Sequence, residues 1–326
     1  MVTWGAVVIT APYFLAAGFF DMENGFNYGG QAVLEGVMMR GPRHVVTAVR
    51  RPDGEIVYQS EPLRGIYTSV WRKVPLARGV IVLLEAMLLG IKSLLFSANV
   101  ALEEETGESV SQWYLWGMVA LSLVFSVALF FLLPLFLTRL IPLGQNTFMF
   151  MLLEGLIRIA IFIAYLRLVT LLPDLKRVFG YHGAEHKTIN TYEDGKPLDV
   201  INARGYSRVH YRCGTSFLFV VLVIAVLVFS LVGLPGFWWL LLSRIVLVPV
   251  IAAISYEIIF YGSKYCGNPV VRFMLAPGTW LQGLTTREPD DSQLEVGLAS
   301  LKKLFELEEA AQAEPLPAPK SASVIS

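Results

Sequence analysis

The 326-residue chain is 55% hydrophobic and only 16% Asp, Glu, Lys and Arg, with a mean hydropathy of +0.58. A soluble domain carries about a quarter charged residues, so a wholly water-soluble globule is excluded. Its 26 basic and 26 acidic side chains cancel, which removes the global basic field that would draw it to nucleic acid. Two cysteines, Cys213 and Cys266, are too few for a disulfide framework, and neither belongs to a CxxC pair.

In chain order, Met1–Phe20 is apolar and uncharged and lacks the basic start of a secretory signal. It is either an additional span with its amino end outside or a product of start-site choice. Residues 25–78 are not membrane-like. His44–Arg50 and Glu55–Ser60 alternate, are rich in Val and Ile, and flank Pro52-Asp53-Gly54, the pattern of a β-hairpin. Upstream, Gly29-Gly30, Gly36 and Gly41-Pro42 punctuate an apolar run that holds Glu35 and Arg40. This predicts a small β-containing N-terminal unit in the cytoplasm.

Residues 79–102 are apolar, but they contain Glu85 and Lys92 and end in Glu103-Glu104-Glu105. They predict a re-entrant or interfacial helix. Four stretches reach the length of about 20 apolar residues that a bilayer core requires: Trp113–Ile141, Thr147–Leu172, Thr215–Gly233 and Phe237–Tyr261. The short connections Pro142–Asn146 and Leu234–Gly236 make them two transmembrane hairpins, 113–172 and 215–261. Trp113-Tyr114-x-Trp116 and Trp238-Trp239 lie at segment ends, where interfacial aromatic belts form. The fold class is therefore a mainly α membrane protein with four transmembrane helices, the β-containing unit and a C-terminal amphipathic helix.

Basic residues set the orientation. Lys and Arg number eight in 25–78, seven in 173–213 and six after Tyr261, whereas the two short connections have none. With four spans these three regions share one side, which the positive-inside rule makes cytoplasmic. A crossing at 79–102 would move 173–213 outside, against that rule. Within the spans, Glu154 and Arg158 stand one helical turn apart and can neutralise each other. Arg244 and Glu257 lie in the fourth. Packing inside a bundle is the commoner role for such groups, and an ion or proton path is the alternative.

In the C-terminal region, 262–313, Asp291 and Ser292 open a helix with Glu295 placed as in a capping box. Leu294, Leu298, Leu301 and Phe305 then recur on one face, to dock on the N-terminal unit or on the membrane surface. Residues 314–326, with three prolines, read as a disordered tail.

One constellation points to chemistry. Three of the four histidines, His182, His186 and His210, fall in the histidine-bearing segment 173–214 between the hairpins. If His182-Gly183-Ala184-Glu185-His186 is helical, His182, His186 and Glu193 line one stripe. Two imidazoles one turn apart can share a tetrahedral metal such as zinc, with Glu193 or His210 completing the site. The H-x-x-E-H order also occurs in the inverted zinc peptidases, where the glutamate activates water, a part open to Glu185. The plainer account is a solvated juxtamembrane helix, and His44 beside a strand is structural. Cys213 offers a soft ligand, although a small buried thiol is commoner. Thr285-Thr286-Arg287-Glu288-Pro289-Asp290 either holds an anion through Arg287 or turns the chain before the last helix.

Four stretches carry a resemblance. They are Gly29 to Pro42 (GGQAVLEGVMMRGP), Tyr181 to Lys187 (YHGAEHK), His210-x-Arg212-Cys213-Gly214-Thr215-Ser216-Phe217, and Leu281 to Pro289 (LQGLTTREP). The chain resembles the YqhQ-like bacterial membrane proteins, a family of unknown function labelled predicted metal-dependent enzymes, over about residues 27–307. That family has a proline after the third histidine, where this chain has Tyr211, and Met1–Phe20 precedes its pattern. The resemblance implies grouping Glu35, Arg40, Arg287 and Glu288 with the histidines as one cytoplasm-facing polar site. The expected function is a metal-dependent enzyme, plausibly a hydrolase, in the bacterial cytoplasmic membrane. It would use a divalent metal and a substrate reached from the cytoplasm or inner leaflet. The alternative is a non-enzymatic transporter or scaffold, which would tolerate loss of all three histidines.

Overall fold

The computed structural model describes residues 27–106, 112–142, 146–232 and 237–313. The segment Met1–Phe20, the connection Leu234–Gly236, residues 143–145 of the other connection and the tail 314–326 lie outside the described residues, as does the Arg244 side chain.

The N-terminal unit is a four-stranded antiparallel sheet in sequence order: β1 (Gly29–Val33), β2 (Gly36–Arg40), β3 (His44–Arg50) and β4 (Ile56–Pro62). The expected hairpin is β3–β4, with Arg50 opposite Ile56 and Gly54 at φ 93 in the turn. The glycine-punctuated run forms a second hairpin. Val33 pairs with Gly36 across Leu34-Glu35, and Glu35 takes φ 49 because a two-residue turn demands positive φ.

The helices among the described residues are α1 (Ala77–Thr106), α2 (Gln112–Val127), α3 (Leu133–Arg139), α4 (Thr147–Val169), α5 (Pro173–Glu193), α6 (Val200–Arg204), α7 (Gly214–Val232), α8 (Phe237–Lys264), α9 (Pro269–Thr285) and α10 (Asp291–Ala313). Strands β2 and β3 are buried at almost every position because helices cover both faces of the sheet. On one face Val37, Met39, Val46 and Ala48 meet Tyr181 and Ile189 of α5 and Val296, Leu301 and Leu304 of α10. On the other, Met38 and Val45 meet Leu89 of α1, and Val33 and Val49 meet Val100 and Phe96. The hydroxyls of Thr47 and Ser93 lie 2.9 Å apart in that second layer. The C-terminal helix thus docks on the N-terminal unit.

The cap of α10 sits two residues ahead of the expected Ser292–Glu295 box. Asp290 Oδ1 accepts from the Gln293 N–H (2.9 Å), and Gln293 Oε1 accepts from the Asp290 N–H (3.2 Å). That is the reciprocal box, built on Asp290 and Gln293. Glu295 instead accepts from Arg50 at 2.8 Å.

Among the described residues, five helices are long and apolar enough to cross a membrane: 77–101, 116–139, 147–169, 214–232 and 246–264. The last four fall on the four expected spans, and α1 is the fifth by length and composition alone. Its start packs closely on α8, where Gly79 abuts Ala253 and Tyr256. Arg78 Nε donates to Glu257 at 2.8 Å. Its second half lies on the sheet.

The rod formed by α2 and α3 has a π-helical turn at Ala128–Leu132, just before Pro134. A proline ring cannot accept the carbonyl four residues back and offers it no N–H, which leaves Phe130 O unused by the helix. Arg158 Nε of α4 donates to that oxygen at 2.9 Å, and the Arg158 guanidinium also pairs with Glu154. Glu154 and Arg158 are therefore engaged with each other and with the neighbouring helix.

Candidate metal centre

Helix α5 starts well because Pro173 occupies its first turn, where no intrahelical N–H is needed. From Gly180 to Ile189 almost every residue is buried, polar ones included. Close approach makes this possible at one glycine above all. A Cβ on Gly183 would overlap the Arg287 carbonyl, so only glycine lets the 285–289 strap cross the histidine motif.

The strap and the segment after α6 then fix the imidazoles. His182 Nδ1 lies 2.7 Å from Thr285 O, and His186 Nδ1 lies 2.6 Å from Arg208 O. A carbonyl oxygen only accepts, so each Nδ1 carries the proton and each neutral ring keeps its lone pair on Nε2. Cys213, the residue before α7, brings its sulfur to 3.4 Å from His182 Nε2. The ligand atoms of His182, His186 and Cys213 all lie within 4.8 Å of one another. His186 and Cys213 are buried and His182 is half-buried.

Glu185 is buried beside this group. Its Oε2 is 3.5 Å from His186 Nε2, and its Oε1 accepts from the Gly30 N–H at 2.9 Å. Strand β1 thus holds the carboxylate. A Cβ on Gly30 would crowd Glu185 and overlap the Met38 carbonyl.

His210 and Glu193 pair with each other, outside that triplet. His210 Nε2 is 3.4 Å from Glu193 Oε2, and Arg212 also bonds Glu193. Burial by itself would raise the Glu193 carboxyl, but His210 and Arg212 outweigh it and hold the group down at about 2. Gln282 of α9, fully buried, fixes the backbone of His210. Its Oε1 accepts from His210 N (3.0 Å), and its Nε2 donates to His210 O (2.9 Å) and to Ser216 Oγ (2.7 Å). These bonds secure the turn that carries Tyr211.

The four further polar residues go to separate places. Glu35 accepts two bonds of 2.6 Å from Arg177 and one of 3.2 Å from Tyr181. Arg40, at the far end of β2, donates to Glu85 of α1 (2.7 Å) and to Tyr67 O (3.0 Å). Glu288 is the counter-ion of the buried Lys187, whose Nζ also donates to Arg204 O at 2.8 Å. Arg287 donates to Phe179 O through its N–H and to Thr170 O through Nη2 (3.2 Å).

Sequence reasoning found the histidines and Glu185 but weighted Cys213 towards simple packing, and it missed Gly30 and Gln282. Their only sequence signal is membership of the glycine-rich and Leu281-Gln282-Gly283 stretches.

Fold and site together define a helical protein of membrane character, carrying a polar sheet-and-helix body with a His–His–Cys cluster. The chain belongs to the family described as "Protein of unknown function (DUF1385)", matched over residues 74–307. It is similar to "Uncharacterized protein YqhQ" of Bacillus subtilis (strain 168), at 37% identity over 295 residues, covering 86% of this chain and 93% of the relative. No solved structure matches.

Proposed function

We propose that this is a four-span protein of the bacterial cytoplasmic membrane whose cytoplasmic body holds a metal-dependent, hydrolytic centre. The observation that carries the proposal is the pair of Nδ1–carbonyl bonds at His182 and His186. These aim both Nε2 lone pairs into the space that Cys213 Sγ also reaches. Orientation by such outer partners is how metal-binding imidazoles are held. Tetrahedral zinc with bonds of about 2.0–2.3 Å places its donors about 3.5 Å apart, a spacing that the His182–Cys213 distance already has.

A divalent ion of the zinc type would supply Lewis-acid activation of water at this position. Glu185 would serve as the proton acceptor there, through the oxygen that faces His186, while Gly30 keeps the other oxygen fixed. Lys187 and Glu288 neutralise each other beside it. His210 and Glu193 brace the wall.

The contacts of α1 support four spans over five. A helix whose Leu89, Ser93, Phe96 and Val100 cover a sheet that α5 and α10 cover from the other side cannot have that half in hydrocarbon. The basic residues of 25–78, 173–213 and the C-terminal region then share the cytoplasmic side.

Metal analysis of the detergent-purified full chain tests the centre. Wild type should hold about one zinc-type ion per chain, and His186→Ala and Cys213→Ser should each lose it. Wild-type protein without metal overturns the proposal.

A further inference from the structure

The helix that closes the metal centre carries an exposed apolar surface. Along α9, Val270, Phe273, Met274 and Trp280 stand 64%, 80%, 69% and 60% exposed. Their spacing puts them on one stripe. The opposite face is packed: Leu275 abuts Gly262 of α8, and Gly278 abuts Ser216 of α7. The stripe is therefore continuous with the two apolar helices against which α9 lies. Lys264 ends α8 ahead of it, Arg272 lies in its first turn, and Arg287 follows just past its end. A 17-residue helix with an open apolar stripe and flanking cations lies in the plane of an anionic leaflet, with its apolar side in the acyl boundary.

That placement fixes the depth of the site. The last residue of α9 supplies the carbonyl that orients His182, and Cys213 immediately precedes the apolar helix α7. The cluster thus sits at headgroup level. Two arginines rim it. Arg208 gives its carbonyl to His186, and its guanidinium lies 3.5 Å from Thr286 O, next to Arg287. Among the described residues neither Arg208 nor Arg287 forms an ion pair, and their side chains meet only backbone carbonyls. Two guanidiniums without a carboxylate partner, on residues whose backbones touch the histidine helix, suit a phosphate group.

We propose that α9 seats the site on the inner leaflet and that the site takes the phosphate-bearing headgroup of an anionic lipid, held by Arg208 and Arg287. The inference deepens the metal-centre reading by naming its substrate class, and it rests on that reading only for the chemistry, not for the binding. Arg208 and Arg287 act here as positioning residues.

The test uses the purified full chain in detergent, titrated with short-chain phosphatidylglycerol, short-chain phosphatidylcholine or inorganic phosphate. Bound adducts are read by native mass spectrometry, with metal content measured on the same samples. Wild type should take phosphatidylglycerol at about tenfold lower concentration than phosphatidylcholine. Arg208→Ala/Arg287→Ala should abolish that preference, and Phe273→Glu/Trp280→Glu should weaken retention of both lipids. Equal retention of the two lipids by wild type overturns the proposal, as does an unchanged preference in the double arginine variant. Inorganic phosphate binding as well as phosphatidylglycerol would show a soluble anion site and overturn the lipid assignment. Preference for phosphatidylglycerol without metal defeats the hydrolytic centre alone. Metal without that preference defeats this inference alone.

Discussion

In the body built from the sheet, α5 and α10, the side chains of Ile189, Val296, Leu301 and Leu304 have no exposed surface. In the rod of α2 and α3, Leu121, Leu123 and Val124 are 65–71% exposed, and only 6% of the most apolar stretch is buried. Both regions contain aliphatic residues but use them in opposite directions. The body hides them from water, which drives its folding. The α2–α3 rod turns them outward, and the apolar helices bury polar groups beside their apolar ones, among them Glu154, Arg158, Thr138, Ser230 and Ser255. In a bilayer, lipid would remove the hydrophobic force between helices and leave packing and hydrogen bonds to hold such a bundle.

Substitutions can break or sharpen that contrast. The largest effect is expected inside the hairpins, at their buried pair. Arg158→Leu removes the guanidinium shared by Glu154 and the Phe130 carbonyl and should cost about 4 kcal/mol in equilibrium unfolding from mixed micelles. Replacing Glu154 by Leu as well should recover most of that loss. No recovery would mean the charges do more than match each other. Next, Leu301→Ala in the body should cost about 3 kcal/mol by the same measurement. Leu121→Ala, on the outward face of the rod, should change it by less than about 0.5 kcal/mol. Equal costs would erase the distinction between the regions.

A smaller effect concerns pH. The folded-state carboxyl of Glu193 is held at about 2, below its ordinary 4.5, so its contribution is complete above about pH 4.5 and is lost as pH falls towards 2. Melting temperatures across that window should drop less steeply in Glu193→Gln than in wild type, with no difference in slope at neutral pH. The smallest effect belongs to the surface of the body. Arg177→Ala breaks a pair whose side chains are 54% and 34% exposed, so it should cost only about 0.5 kcal/mol. A cost above that of Leu301→Ala would show that Glu35 anchors more than a turn.

Much of this organisation was legible along the chain. The alternation in His44–Arg50 and the turn at Gly54 announced a hairpin, and the i, i+4, i+7 leucines of α10 announced a docked helix. The histidine motif was legible because two imidazoles one turn apart need only helical geometry to share a face. Cys213 was not, since nothing local distinguishes a thiol that packs from one that meets His182 across 31 residues. The cap at Asp290 was misplaced because Ser292 and Glu295 satisfy the same pattern, and the choice depended on Arg50 drawing Glu295 away. Helix α1 shows the limit most clearly. Its hydropathy falls among those of the other long apolar helices, and nothing along the chain shows that its second half packs on the sheet through Leu89 and Val100.

The sequence by itself determined which segments are apolar, how long they are and where the basic residues fall, because hydrocarbon thickness and charge are read from composition alone. Tertiary structure decided which faces of those segments meet. It chose the partner of α1, joined β1 to Glu185 across 155 residues, and brought Cys213 and the Thr285 carbonyl to His182. Such contacts depend on how buried polar groups find donors and acceptors at a distance, and no periodicity along the chain encodes that matching.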